Sequence, residues 1–308
     1  MSLLAFQSRP PMSENNLPKM TFIVGAPRSG STVLLDFLTV PKSMAWIPQK
    51  LAEQPKKLSL ACRANKLNWP LLGEFFLERR SEWKSVPEPA RGQEFWMHYL
   101  SKFTSPEAQP NIPGPGDLQD GEAEKLREAI KDLCHYQHRT SFVAEYNGFP
   151  RIQMMRAVFP KARFIQVLRD PRSVAYQMVK RGGGANIPLW QHWQQWKSIM
   201  PEALQNRLEE LPESPLNFCG VLVRWYHDLY KQEMEKLPEE DRHEVAYSDL
   251  LARPEITLNK VMKFMDLEMN TRFKYYVKFH DVHSSNQRTN RNLNSQEADE
   301  LALAVSAS

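Results

Sequence analysis

The chain has 308 residues, 42% of them hydrophobic and 25% charged, which allows one large or two small domains, each with a buried core. A formal net charge of +4 suits an anionic ligand, but the basic residues are too dispersed for a nucleic-acid-binding surface. The three cysteines, Cys62, Cys134 and Cys219, are scattered without metal-ligand spacing and read as reduced residues of an intracellular protein.

Residues 1–18 lack the basic and long apolar regions of a signal peptide and read as a flexible lead-in. No stretch approaches 18 uninterrupted apolar residues, so the expectation is a cytoplasmic protein without a membrane span. Residues 21–38, TFIVGAPRSGSTVLLDFL, then form the most informative stretch. Thr21–Val24 suits a buried strand, residues 25–30 a turn bounded by glycines, and Val33, Leu34, Phe37 and Leu38 recur at helical spacing. This order aims backbone N–H groups and the positive end of a helix dipole at a phosphate. A nucleotide triphosphatase loop would place Lys after Gly30. Here Ser31 stands in that position, and Arg28 is the only cation in the loop.

Residues 39–54, with prolines at 41 and 48, read as irregular chain near the mouth of the loop. Helical patterns run through residues 56–103, clearest over 93–103, where His98 lies. Residues 105–117 hold four prolines and two glycines and form a loop; residues 122–138 read as an amphipathic helix. His135 and His138 lie three apart without a third metal ligand in reach, so no metal is expected. Short strands are expected at 141–145, 163–168 and 243–247, and helices at 150–159 and from Ser173 onward.

Arg169 stands at the end of the 163–168 strand, the end at which open parallel sheets bind ligands. Trp190, Trp193 and Trp196 follow a glycine-rich joint and read either as a core stripe or as the wall of a lid. A long helix capped by Asn217 is expected over 217–236, another over 254–267, and a last one near 296–304 after a basic, polar tail. Strands alternating with helices imply an α/β, P-loop-type three-layer fold, with a central parallel sheet and many surrounding helices. The expected organisation is a single domain over 19–308, with a helical insertion at about 56–140 covering the active edge of the sheet.

Four segments together resemble the sulfotransferase superfamily, closest to its bacterial-type members: GAPRSGST, RFIQVLRDPRSVAYQM, EVAYSDLLARPE and NQRTNRNLNSQE. The resemblance implies 3′-phosphoadenosine 5′-phosphosulfate (PAPS) as cofactor, with PAP as its product. It also implies in-line sulfuryl transfer to a hydroxyl or amine of a small-molecule, lipid or carbohydrate acceptor. Fixed donors can stabilise such a transition state without a metal. Arg28 matches the family's catalytic cation, and Ser29, Gly30, Ser31 and Thr32 match its 5′-phosphate donors. Arg169 matches the 3′-phosphate arginine and Tyr247 a tyrosine near the adenine. Arg288 and Arg291 compete to close over the 3′-phosphate.

Two positions depart from the family pattern. Gln177 replaces the usual Ser of the 3′-phosphate site, and Gln49 stands where several members carry a catalytic glutamate. Glu145 is therefore the leading candidate for the base, ahead of Glu53 and His98. Trp46, Gln49, His98 and Trp190 are candidate acceptor-binding residues. A P-loop nucleotide kinase is the alternative enzyme, disfavoured by Ser31. A catalytically lapsed PAPS- or PAP-binding protein is the other alternative, raised by the two glutamines.

Overall fold

A computed structural model of the chain describes residues 17–68, 88–90, 92–103, 113–181, 193–279 and 293–306. Only Lys19 of strand β1 (Lys19–Gly25) reaches solvent, which marks a strand covered on both faces. With β2 (Met44–Ala45), β3 (Ser141–Asn147), β4 (Arg163–Leu168) and β5 (Arg242–Ala246) it forms one five-stranded sheet in the order β2-β3-β1-β4-β5. Every pairing is parallel. The chain leaves β1 toward one side of the sheet, returns through β3 and continues on the other side with β4 and β5. The carboxyl end of β1 is thus the place where a doubly wound sheet binds ligands.

Alternation along the strands sorts the core into two layers. Phe22, Val24, Phe142, Ala144 and Phe164 face helices Gln93–Tyr99, Glu122–Gln137 and Ile152–Val158. There Phe22 stacks on Phe164 at 5.5 Å and meets Trp96 edge-on at 6.0 Å. Ile23, Val143, Ile165, Val167 and Val245 face helices Ser31–Leu38, Pro254–Phe264 and Thr271–Phe279. A third cluster joins helices Pro171–Arg181, Pro215–Glu235 and Ser295–Val305 beyond the sheet's carboxyl edge, around Phe149, Trp196 and Tyr226. A cavity of about 480 Å³ among Leu17, Met20, Phe159, Arg163 and Met265 opens at the opposite, amino end of β1 and β4.

Several boundaries differ from the sequence reading for local reasons. Residues 39–54 are not wholly irregular: Met44 and Ala45 pair with Ser141 and Phe142, a strand too short for any periodicity to announce. The long helix begins at Pro215, and its cap is Ser214, whose hydroxyl accepts from the Asn217 N–H. Asn217 is instead buried and donates to the Pro212 carbonyl at 2.9 Å and to Glu300 at 3.1 Å. The helix after β4 starts at Pro171, because Asp170 accepts from the N–H and hydroxyl of Ser173 at 3.2 and 2.7 Å. The helices of the 56–140 stretch give Phe95, Trp96, Leu126, Ile130 and Leu133 to one face of the sheet.

Candidate active site

Parallel register sets the levels at which the strands end. Gly25 lies opposite Asn147, and Leu168 opposite Ala246, so Arg169 and Tyr247 leave neighbouring strands side by side. The turn after β1 closes through Ser29 N–H to Ala26 O at 3.1 Å, and Gly148 N–H reaches Gly25 O at 3.2 Å. Gly25 must lack a side chain, since a Cβ there would meet the Val167 carbonyl oxygen at 2.9 Å. Arg28 takes a left-handed φ of 68°, and Gly30, with φ 99°, precedes helix Ser31–Leu38 without any side-chain cap. The first-turn N–H groups of that helix are the ones its own backbone cannot satisfy.

Tyr247 is the floor on which the loop turns. A Cβ on Gly30 would lie 2.3 Å from the ring's Cδ2, so the Gly30 backbone rests directly against the phenol. On the same ring lies the Arg169 guanidinium, 4.8 Å from its centroid, and Arg169 Nη1 donates to the Arg28 carbonyl at 2.9 Å. One arginine therefore ties the end of β4 to the loop after β1 and to the residue that follows β5. Burial pulls the Arg169 pKa down and pushes the Tyr247 pKa up, while their proximity opposes both shifts. At neutral pH the pair is a cation on an uncharged phenol.

Behind the loop sits Glu145, with no exposed surface. Its Oε1 accepts from Ser31 Oγ at 2.7 Å, Thr32 Oγ1 at 3.1 Å and Asn147 Nδ2 at 3.1 Å. Glu145 pairs with Ile23 in register, two residues before the loop, and shares the sheet face against which helix Ser31–Leu38 packs. The residue expected as the leading candidate for the base is thus fully buried and receives three donors on one oxygen.

The Sulfotransferase family profile matches residues 20–271, a span that contains the loop, β3, β4 and Tyr247. The chain belongs to the sulfotransferase family. Among solved structures, sulfotransferase STF9 from Mycobacterium avium is similar to this sulfotransferase at TM-score 0.53 and 15% identity, over 94% of this chain and 75% of that one. Sulfotransferase STF1 from Mycobacterium tuberculosis H37Rv aligns at TM-score 0.47 and 13% identity, over 93% and 77%. At these identities the first likeness shows the fold. The sequence has no match among the curated proteins compared with it. As a member of its family the protein is a PAPS-dependent sulfotransferase.

The residues of this sulfotransferase fit a phosphate-bearing cofactor. The helix N-terminus is uncapped, two glycines hold positions that a Cβ would fill, and the buried Ser29 hydroxyl makes no hydrogen bond among the described residues. Around this loop the structure gathers Arg28, Ser29, Gly30, Ser31, Thr32, Arg169 and Tyr247. Gln177 is buried two turns along helix Pro171–Arg181. Arg288, Arg291 and Trp190 lie outside the described residues.

The proposed acceptor residues separate. Trp46 has no exposed surface and packs in the core, so it offers no wall to an acceptor, contrary to expectation. Trp196 is likewise core, stacked on Phe149 at 5.5 Å. Gln49 and His98 are exposed; Gln49 Nε2 reaches Glu53 at 3.4 Å, and the His98 ring meets Tyr99 edge-on. The Lys50 hydrogen bond, with help from Gln49, holds Glu53 below the usual carboxylate range, which suits it poorly to the role of base.

Sequence reasoning missed Asn147 and Asp170. Register could have found Asn147, since it stands level with Gly25. The D-P-R-S spacing could have found the Asp170 cap. Among the described residues no group of three or more His, Cys, Asp or Glu side chains could hold a metal, and no helix is long and apolar enough to cross a membrane.

Proposed function

We propose that the protein transfers the sulfuryl group of PAPS to a hydroxyl or amine of a small-molecule, lipid or carbohydrate acceptor. The observation that carries this reading is the convergence of the uncapped loop, Arg169 and Tyr247 on one sheet edge. Bound PAPS would supply the activated group: its bridging S–O bond would break as the acceptor atom bonds sulfur, PAP would leave with the electron pair, and the acceptor's proton would pass to water. The N–H groups of residues 30–32 face the 5′-phosphate, and Arg28 faces the charge that develops on the leaving oxygen. Arg169, with Gln177 on the next helix and an arginine of the 288–291 tail, takes the 3′-phosphate, while Tyr247 keeps the loop at the height of the strand ends.

The Gln177 departure leaves the 3′-phosphate assignment intact, because an amide still donates hydrogen bonds; Gln49 does not replace a carboxylate base. The organisation that goes with it is a single domain over 19–308, acting on its acceptor in the cytoplasm. A cell-extract screen with ³⁵S-labelled PAPS, with identification of the labelled product, tests the reading. Protection against thermal unfolding by PAP, and not by ATP with Mg²⁺, is the expected binding result. Protection by ATP with Mg²⁺ alone would overturn it in favour of a P-loop kinase.

A further inference from the structure

We infer that Glu145 is a positioning residue of the phosphate loop, holding the Ser31 and Thr32 hydroxyls turned in on β3 so that the loop meets its ligand through backbone N–H groups. A hydroxyl has one proton to give. Both protons are directed to Glu145 Oε1, at 2.7 and 3.1 Å, and Asn147 adds a third donor to the same oxygen. The outward side of each hydroxyl then carries lone pairs only, and a phosphate oxygen is itself an acceptor. In this arrangement two of the three hydroxyls that the loop sequence offers as phosphate donors are engaged behind the loop. The anion is left to the uncapped helix end, the Ser29 hydroxyl and the arginines.

The carboxylate has the right place for this task. It lies on the strand beside β1, two residues below the level of Gly25, on the face covered by the helix that the loop starts. Two hydrogen bonds, from Ser31 and Thr32 onto one buried oxygen, fix the first helical turn against the sheet, and the Asn147 bond on the same strand holds that oxygen in place. Glu145 thus acts on the ligand through Ser31 and Thr32 and does not touch the acceptor.

The test uses the full chain with Glu145→Gln, and Glu145→Asp as the variant that keeps the carboxyl group but shortens its reach. Hydrogen exchange without ligand is the first readout. The amides of residues 25–32 are expected to exchange about tenfold faster in either variant, with those of residues 20–24 unchanged, given the loss of hydrogen bonds that hold the first helical turn. Calorimetry with PAP is the second readout: its Kd rises about tenfold, and the kinetic loss falls on the KM for PAPS more than on kcat. Ser31→Ala/Thr32→Ala reproduces the weaker binding, and adding Glu145→Gln to that pair weakens it little further, because the carboxylate works through the hydroxyls.

The inference fails if both Glu145 variants exchange and bind PAP as wild type does. It fails equally if binding is unchanged while single-turnover transfer falls a hundredfold, which would make Glu145 the base. The PAP arm rests on the cofactor reading above and the exchange arm does not. A wild-type protein that binds no PAP refutes that reading, and loop exchange alone then decides the role of Glu145.

Discussion

Gly30→Ala puts the floor of the site to the sharpest trial. Two separable penalties arise. Alanine in a left-handed conformation such as φ 99° costs about 1–2 kcal/mol. The new Cβ would also lie 2.3 and 2.4 Å from Cδ2 and Cε2 of Tyr247, and relieving such overpacking costs about 1–3 kcal/mol. The ring cannot yield freely, because it is buried and carries Arg169 on it. The expected destabilisation is about 2–5 kcal/mol in urea unfolding, with PAP binding lost as the loop is pushed off the ring.

The two penalties part company when the ring is removed. Tyr247→Ala abolishes the clash but leaves the backbone penalty, so the double variant should be more stable than the sum of the singles by about 1–3 kcal/mol. Additivity within about 0.5 kcal/mol would mean that loop and ring are not in contact, and the two-part site described here would fall with it.

Arg169→Lys keeps the charge but loses the flat stack on Tyr247 and the fork that reaches the Arg28 carbonyl, so PAP affinity by calorimetry should fall at least tenfold, roughly. Trp196→Ala should cost about 3–5 kcal/mol in urea and leave the ranking of acceptors unchanged, because the ring packs on Phe149 in the core. Burial, with Arg224 beside His227 and Lys260 near His243, holds both histidines below their ordinary pKa of 6.5. The unfolded chain therefore binds their protons first. Their contribution to stability is full above pH 6.5 and is lost as pH falls toward the lower folded values. The urea midpoint should drop between about pH 7 and pH 5, and His227→Gln/His243→Gln should flatten that drop.

What the sequence made legible was whatever a strong local pattern carries. The run from Thr21 to Val24, the glycine-bounded turn and the apolar spacing after Ser31 all describe neighbouring residues, and strand, loop and helix stand where those patterns put them. RFIQVL likewise became β4 at the expected bounds. Met44–Ala45 was illegible because two residues form a strand only through a partner about a hundred positions away. Trp46 and Trp196 were ambiguous for a related reason: an aromatic side chain looks the same in sequence whether it lines a cleft or fills a core. Glu145 was picked out by its strand-end position, but the role of a strand-end carboxylate depends on what packs against it. Its partners Ser31 and Thr32 come from a segment more than a hundred residues earlier.

The missing lysine of the loop gains a physical account from the same contacts. In a nucleotide triphosphatase loop the lysine after the last glycine brings its charge from the helix side. Here that position is Ser31, whose hydroxyl is bonded to Glu145, so the position itself supplies no cation. Positive charge comes instead from within the turn, at Arg28, and from the neighbouring strand, at Arg169. The bond from Arg169 to the Arg28 carbonyl makes these two sources one unit. The left-handed backbone of Arg28 is a conformation a non-glycine residue adopts at a cost. It is stabilised by the same guanidinium that we assign to the 3′-phosphate. In the assignment proposed above, a ligand that engages Arg169 acts through this bond on Arg28 as well.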